Sequence, residues 1–269
     1  MRTSAGLLAA ALLVLPGCAP APNAADGQDA DDQHTAAQIT VFAAASLDEV
    51  MTTVADDYTA ASGVDVEISS AGSAGLLAQL QQGAPADVFI PADEQTMERA
   101  ASAELITPPT RRIAANTLVI AVPAGNPAQI RSLQDLDTSP AADSPESSPA
   151  LVVCAEQVPC GAAAQQAADA AGVTLSPVSE ELAVTDVLGK VSSAEADAGL
   201  VYSTDVLRAG DQLDSVEIEG AEAYPNHYPA AVLQGSAQPA AARDFIEFLL
   251  SAPGQRALRE AGFSPGDPG

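Results

Sequence analysis

The sequence contains no tryptophan, and aromatic residues make up only 3% of its 269 positions. The hydrophobic core must therefore be built from Ala, Val, Leu and Ile, in a chain that is 47% hydrophobic. Basic residues are also scarce, because 10 Lys and Arg stand against 36 Asp and Glu, for a formal net charge of −26. A surface of this sign repels nucleic acid and anionic membranes, so neither is expected as a direct partner. The length fits one large domain or two lobes of ordinary size.

Long apolar runs are missing as well. The run from Leu7 to Leu15, after a positive start at Arg2, is too short to be a permanent membrane helix. It ends in L-P-G-C, which resembles the processing signal of bacterial lipoproteins. That resemblance implies a signal peptide over residues 1–18, lipidation of Cys18, and an extracytoplasmic protein anchored to the cell membrane only by lipid. An ordinary cleaved signal with an incidental Cys is the alternative.

Residues 19–37 show no apolar period and hold Pro, Asn, Gly and a cluster of Asp. This composition predicts a disordered tether, and we assign His34 within it no chemistry.

Only three cysteines are present. If Cys18 is lipidated, Cys154 and Cys160 remain, six positions apart, and an oxidising compartment favours a disulfide between them. A metal site is not expected, because no His lies within ligand spacing of this pair.

The folded part alternates short apolar runs with helical periodicity, which predicts an α/β fold with parallel sheets and helices on both faces. A loop rich in Ser, Pro and Asp is expected over residues 137–150. The predicted strands cover residues 39–44, 64–70, 87–90, 117–122, 151–153, 198–202 and 230–233. The predicted helices include residues 47–62, 76–80, 93–103, 161–171 and 185–194, the stretch around 245–249, and a last one that starts near Pro253.

Six motifs then occur in an order that resembles the periplasmic molybdate-binding proteins of ABC transporters, which are type II solute-binding proteins. The similarity covers nearly everything from Gln38 to Phe263. The motifs are V-F-A-A-A-S-L (41–47), G-A-P-A-D-V-F-I (83–90), V-P-C-G (158–161), G-L-V-Y-S-T-D (199–205), Y-P-A-A-V (228–232) and S-A-P-G-Q…G-F (251–263).

The resemblance implies a two-lobed periplasmic-binding-protein fold with mixed, mostly parallel sheets and a hinge of crossing strands. Lobe one would be residues 38–115 plus 229–269, and lobe two residues 116–228. It further implies a binding protein that captures molybdate or tungstate in the cleft and delivers it to ABC permease subunits. This protein would be a monomer, would not be an enzyme and would need no cofactor.

A tetrahedral dianion needs hydrogen-bond donors, and helix N-termini supply free amides and a positive dipole end without a cation. Ser46 and Ser73 stand just before predicted helices, where each offers a hydroxyl and an amide; ordinary helix caps are the alternative. The resemblance adds the backbone amides of Cys160 and Val187 and the hydroxyl of Tyr202. No residue is expected to be a direct cation ligand.

Other functions are weighed against this one. A serine hydrolase would need His227, the only His beyond the tether, and the serines lack a G-x-S-x-G elbow. A ferric-ion site would draw on Tyr224 and Tyr228. Sulfate or another oxyanion is the remaining alternative. Lys190 is expected on a solvated helix face.

Overall fold

The computed structural model describes residues 37–139 and 148–266. Outside these ranges lie the predicted signal peptide with Cys18, the tether up to residue 36, and residues 140–147 of the predicted loop. The strands are β1 (Gln38–Ala44), β2 (Asp65–Ala71), β3 (Val88–Ile90), β4 (Ile106–Asn116), β5 (Leu118–Pro123), β6 (Leu151–Cys154), β7 (Ser179–Glu181), β8 (Ala198–Tyr202), β9 (Leu213–Glu217), β10 (Asn226–Leu233) and β11 (Ser264–Pro265). The helices are α1 (Asp48–Ser62), α2 (Ser73–Gln81), α3 (Glu94–Ser102), α4 (Pro159–Ala171), α5 (Val184–Ser192), α6 (Ser203–Ala209), α7 (Pro239–Leu250) and α8 (Ala252–Glu260).

The strands form two separate sheets. The first has the order β11-β4-β10-β3-β1-β2 and the second the order β7-β6-β8-β5-β9. Both are mixed, as predicted. Parallel pairs surround β1 and β6, but across the described strands four pairings are parallel and five are antiparallel. The expectation of mostly parallel sheets therefore holds only for these central strands, because β4, β5, β9, β10 and β11 all join antiparallel.

The chain passes from the first sheet to the second between β4 and β5, where Thr117 alone separates the strands, and returns between β9 and β10. The first crossing coincides with the predicted boundary at residues 115–116. The second precedes the predicted boundary at 228–229, because Asn226 to Tyr228 already pair with β4. The division into two movable lobes remains a prediction.

The apolar runs of the central strands are explained by burial on both sheet faces. In β1, Val41 packs into the main core while Phe42 points into a second cluster beneath α2 and α3. In β3, Val88 and Ile90 face the main core and Phe89 faces the second cluster. Because successive side chains alternate between faces, such a strand must be apolar throughout.

Helix α1 shows how the sequence sets an element's limits. Val50, Met51, Val54 and Tyr58 lie on its buried face at helical spacing. The helix ends at Gly63, whose φ of 73° is left-handed.

One acidic residue of the similar motifs serves the fold. Asp87 is buried, and its carboxylate accepts hydrogen bonds from the Thr40 amide (2.8 Å), the Ser236 hydroxyl (2.6 Å) and the Gln238 amide (3.2 Å). It therefore ties β1 to the turn between β10 and α7. Among the helices described, none is long and apolar enough to cross a membrane.

Candidate functional site

A small cavity lies where the two sheets face each other. It is lined by residues at or just after the ends of β1, β2 and β3 in the first sheet and of β6, β7 and β8 in the second. In α/β proteins, ligands bind outside the carboxyl ends of strands, where helices begin. The topology therefore directs the starts of several helices at one point.

The cavity is small and is lined by uncharged side chains. The cavity volume is about 20 Å³, far below the roughly 300–1,000 Å³ of pockets for drug-sized ligands. No Lys, Arg, His, Asp or Glu occurs among the described residues that line it. A larger cavity of about 330 Å³ between α1, α6 and α8 is lined by both acidic and basic side chains. The smaller one suits a compact ion held by neutral groups.

Ser46 reaches the cavity from a short 3-10 turn, Ala45–Leu47, that leads into α1. Its side chain is buried, and its Oγ lies 3.0 Å from the Tyr228 phenolic oxygen. Burial raises the pKa of Tyr228 far above its ordinary value, so the phenol keeps its proton. Ser46 makes no capping hydrogen bond to α1, which removes the ordinary-cap interpretation.

Ser73 is the first residue of α2, and Gly72 occupies the N-cap position. The Ser73 Oγ accepts a hydrogen bond from the Ala92 amide at 3.1 Å and makes no capping bond. Its hydroxyl is therefore also not an ordinary cap, and it lies on the wall of the cavity.

Tyr202 is the last residue of β8 and is only 1% exposed. Its phenolic oxygen accepts a hydrogen bond of 2.9 Å from Asn226 Nδ2. Burial holds the pKa of Tyr202 well above its usual range, so the hydroxyl remains a donor. Sequence reasoning did not select Asn226, because an Asn between Pro and His resembles a turn residue.

Cys160 is the second residue of α4 and forms a disulfide with Cys154 at the end of β6, with an S–S distance of 2.02 Å. The bridge closes the short loop that leads to α4. Gly161 follows, and a Cβ there would lie 2.0 Å from the Ala155 carbonyl oxygen, so only glycine fits this turn. The disulfide and the tight turn together bring the start of α4 to the cavity.

Val187 is not at the cavity, which departs from its predicted role. Helix α5 begins at Val184, so Val187 is its fourth residue, with its side chain packed toward Gly199. The amides without an intrahelical acceptor lie in the first turn. Val184 lines the cavity in its place. The structure thus brings four of the predicted residues together at the cavity: Ser46, Ser73, Cys160 and Tyr202. The fifth residue there is Val184 and not Val187.

The two sides of the cleft touch beside the cavity. A Cβ added to Gly72, before α2, would lie 2.2 Å from the backbone oxygen of Leu182, before α5. Arg99 on α3 donates a hydrogen bond of 3.3 Å to the Gln157 carbonyl before α4. These contacts join elements of the first sheet to elements of the second.

The residues on which the alternatives depend lie elsewhere. His227 contacts neither site serine in any hydrogen bond, and its Nδ1 is buried without a partner among the described residues. Tyr224 is 54% exposed and lines a cavity that Tyr228 does not, while Tyr228 is fully buried, so the two do not form a ferric-ion pair. Lys190 forms an ion pair with Glu181, which lowers the pKa of that carboxyl. Across the described residues no cluster of His, Cys, Asp and Glu could hold a metal ion.

Comparison with known proteins supplies the family. Residues 39–264 match the family of bacterial extracellular solute-binding proteins. The chain belongs to this family. It is 42% identical over 258 residues to the molybdate-binding protein ModA of Mycobacterium tuberculosis H37Rv, with 96% of each chain covered. The relatives of this chain are binding proteins of transport systems, which agrees with the expectation that the chain is not an enzyme. The family is extracytoplasmic.

Solved structures confirm the fold of this solute-binding protein. The periplasmic molybdate-binding protein of Azotobacter vinelandii superposes with a TM-score of 0.69 at 20% identity, covering 85% of this chain and all of that one. The sulfate-binding protein SubI of Mycobacterium tuberculosis gives a TM-score of 0.70 at 22% identity, covering 86% and 88%. The fold is therefore common to proteins with different oxyanion ligands, and the site must identify the ligand.

Proposed function

We propose that this solute-binding protein captures molybdate or tungstate in the small cavity and delivers it to the permease subunits of an ABC importer. One observation carries the proposal: hydroxyl groups and helix starts from both sheets surround a small space lined by uncharged side chains. A dianion can be held there by neutral donors, since helix N-termini favour negative charge. The Mycobacterium tuberculosis relative with 42% identity is a molybdate-binding protein.

The proposed ligands of the oxyanion are the hydroxyls of Ser46, Ser73 and Tyr202 and the amides at the starts of α4 and α5, at Cys160 and Val184. The hydroxyls come from both sheets, as do the helices. An ion bound by all of them would hold the two sides of the cleft together.

Calorimetric titration with molybdate, tungstate and sulfate tests the proposal. Ser46→Ala and Ser73→Ala should each weaken molybdate binding by about 1.5–3 kcal/mol, because hydrogen bonds to charged groups contribute that much. Ser192→Ala is the matched control, since Ser192 is exposed at the end of α5 and bonds only the Gly189 carbonyl. Equal affinities for all three variants and the unsubstituted protein would contradict the site assignment.

The same titration separates the ligands. Molybdate and tungstate are nearly equal in size, whereas sulfate is smaller and would leave longer hydrogen bonds on one side of the cavity. We therefore expect molybdate to raise the melting temperature by mass action, and more than sulfate does. An equal or larger shift with sulfate would reassign the ligand to sulfate, and a visible charge-transfer band with ferric ion would favour iron.

Delivery requires the cleft to open and close. We propose that residues 38–115 plus 229–269 form one lobe, that residues 116–228 form the other, and that the monomer closes on its ligand as a hinge. The contacts between Gly72 and Leu182 and between Arg99 and Gln157 support a closed arrangement. Small-angle scattering should show a smaller radius of gyration after molybdate is added. An unchanged radius at saturating ligand would contradict hinge closure.

We also propose that Cys18 carries the lipid that anchors the protein, on the basis of the L-P-G-C segment that follows a short apolar run. Cells grown with a labelled fatty acid should incorporate the label into the protein, and Cys18→Ser should abolish incorporation. Labelling of the Cys18→Ser variant would contradict this assignment.

A further inference from the structure

Each of the three cavity hydroxyls has a hydrogen-bond partner behind it. Ser46 contacts the Tyr228 hydroxyl, Ser73 accepts from the Ala92 amide, and Tyr202 accepts from Asn226. We propose that Asn226 and Tyr228 are positioning residues that turn the hydroxyl protons of Tyr202 and Ser46 toward the bound ion. This inference rests on the proposed oxyanion-binding function and deepens it.

The orientation of the Asn226 amide is fixed by a backbone group. Its Nδ2 lies 3.3 Å from the Ala92 carbonyl oxygen, which can only accept a hydrogen bond. The nitrogen must therefore be on this side, and the same Nδ2 donates to the Tyr202 oxygen at 2.9 Å. Since an amide NH2 cannot accept, the Tyr202 proton is left for the cavity.

Tyr228 acts on Ser46 by the same logic. The Tyr228 oxygen lies 3.0 Å from Ser46 Oγ and 3.5 Å from Asn116 Nδ2. The Asn116 amide is itself fixed, because its Oδ1 accepts from the Thr117 amide at 2.9 Å and so Nδ2 faces Tyr228. Asn116 can only donate there, which leaves Ser46 Oγ as the acceptor for the Tyr228 proton. The Ser46 proton is then free for the ligand.

Ser73 completes the pattern with a donor that side-chain substitution cannot remove. The Ala92 amide donates to its Oγ at 3.1 Å, so the Ser73 proton is also free for the cavity. The Ala92 amide and carbonyl thus support two of the three hydroxyls, one directly and one through Asn226.

The consequence is a site in which all three hydroxyls point a donor proton at the cavity. A fully deprotonated oxyanion satisfies every donor, whereas hydrogen phosphate and hydrogen arsenate carry a proton that needs an acceptor. The positioning residues should therefore affect the choice between these two ligand classes as well as the affinity. A residue that only maintained the fold would weaken both classes alike.

A double-mutant cycle tests the role of Asn226. Asn226→Asp replaces the donor behind Tyr202 by an acceptor, so the Tyr202 hydroxyl should turn away from the cavity. Molybdate affinity should fall at least about tenfold more in the unsubstituted background than in a Tyr202→Phe background, where only the added charge acts. The ratio of molybdate to hydrogen phosphate affinity should fall as well. Equal losses in both backgrounds would overturn the positioning role.

A second cycle covers Tyr228 and protects against a folding defect in the first. Tyr228→Phe keeps the ring that packs on Phe263 at 5.4 Å between centroids and removes only the hydroxyl. It should lower molybdate affinity several-fold when Ser46 is present and leave it unchanged in a Ser46→Ala background. An equal effect in both backgrounds would overturn the role of Tyr228.

Thermal unfolding of each variant without ligand confirms that it is folded before titration. Binding of molybdate, tungstate or sulfate by the unsubstituted protein without coupling in either cycle would overturn the positioning role and leave the proposed function standing. Failure of the unsubstituted protein to bind any of these ions would overturn both.

Discussion

The close approach of Gly72 to Leu182 predicts how a single methyl group should affect binding. The backbone of Gly72 has φ −58° and ψ 132°, which alanine adopts without strain. Its Cβ, however, would lie 2.2 Å from the Leu182 oxygen, 3.2 Å from the Leu182 carbonyl carbon and 3.5 Å from the Ala183 Cβ. Since carbon–oxygen contacts lie near 3.3 Å, the two backbones must separate by about 1 Å.

The cost of Gly72→Ala should appear only when the cleft is closed. Overpacking a well-packed contact costs about 1–3 kcal/mol, which corresponds to a loss of roughly 5–150-fold in apparent molybdate affinity. The stability of the ligand-free protein should change little. The loss of a favourable N-cap residue and the reduced freedom of the unfolded chain act in opposite directions.

Gly75→Ala is the matched control, because Gly75 lies one turn further along the same helix and a Cβ there meets no atom within 4 Å. Calorimetry should show normal molybdate affinity for Gly75→Ala and the predicted loss for Gly72→Ala. Urea unfolding without ligand should place both close to the unsubstituted protein. If Gly72→Ala binds as tightly as Gly75→Ala, ligand binding does not require the contact between Gly72 and Leu182.

Three further predictions concern stability. Replacing Cys154 and Cys160 by Ala should lower the free energy of unfolding by about 2 kcal/mol, given a loop of six residues; urea titrations that coincide with those of the oxidised protein would contradict this. Burial raises the pKa of Asp205 from 3.8 to about 6, although the Arg208 guanidinium opposes the shift. The folded protein therefore holds a proton that the unfolded chain releases, and up to roughly 3 kcal/mol of stability is lost as the pH rises through this interval. Asp205→Asn should reduce this loss of stability, which is measured as the free energy of unfolding below and above the pH interval. An unchanged pH profile would refute the assignment. Asp87→Ala should cost roughly 2–4 kcal/mol, because it leaves buried donors unpaired; a change below that range in a thermal melt would show that water replaces the carboxylate.

Strands and helices with strong hydrophobic periodicity were predictable from the sequence. An element whose residues have a local preference for a different structure was not. Strand β1 is recognisable because both faces are buried. Strand β4 was missed because its segment T-P-P-T-R-R combines prolines with exposed charges, which are typical of loops. It forms a strand because β10 pairs along most of its length. Tertiary pairing thus overrides local preference there.

Two signals in the sequence pointed to the proposed site residues: a family motif and the start of a predicted helix. Ser46 and Tyr202 lie in motifs at the ends of strands, whereas Ser73 lies in none of the six motifs and was selected because a predicted helix follows it. The start of α5 was predicted at 185 and lies at Val184, whereas Val187 was carried over from the family motif and lies three residues past that start. Asn226 could not be recognised, because its partner Tyr202 is distant in sequence.

The uncharged lining of the cavity also governs how fast an ion can arrive. A site without a cation attracts an ion only through the short-range field of its helix dipoles, and the chain around it carries a net charge of −26. An approaching dianion therefore meets this repulsion once it comes within the Debye length, about 8 Å at physiological ionic strength. Added inert salt screens this repulsion, so the association rate constant should increase with ionic strength. Once the ion is bound, dissociation is governed by short-range hydrogen bonds and depends far less on salt. Ionic strength thus acts on capture more than on retention.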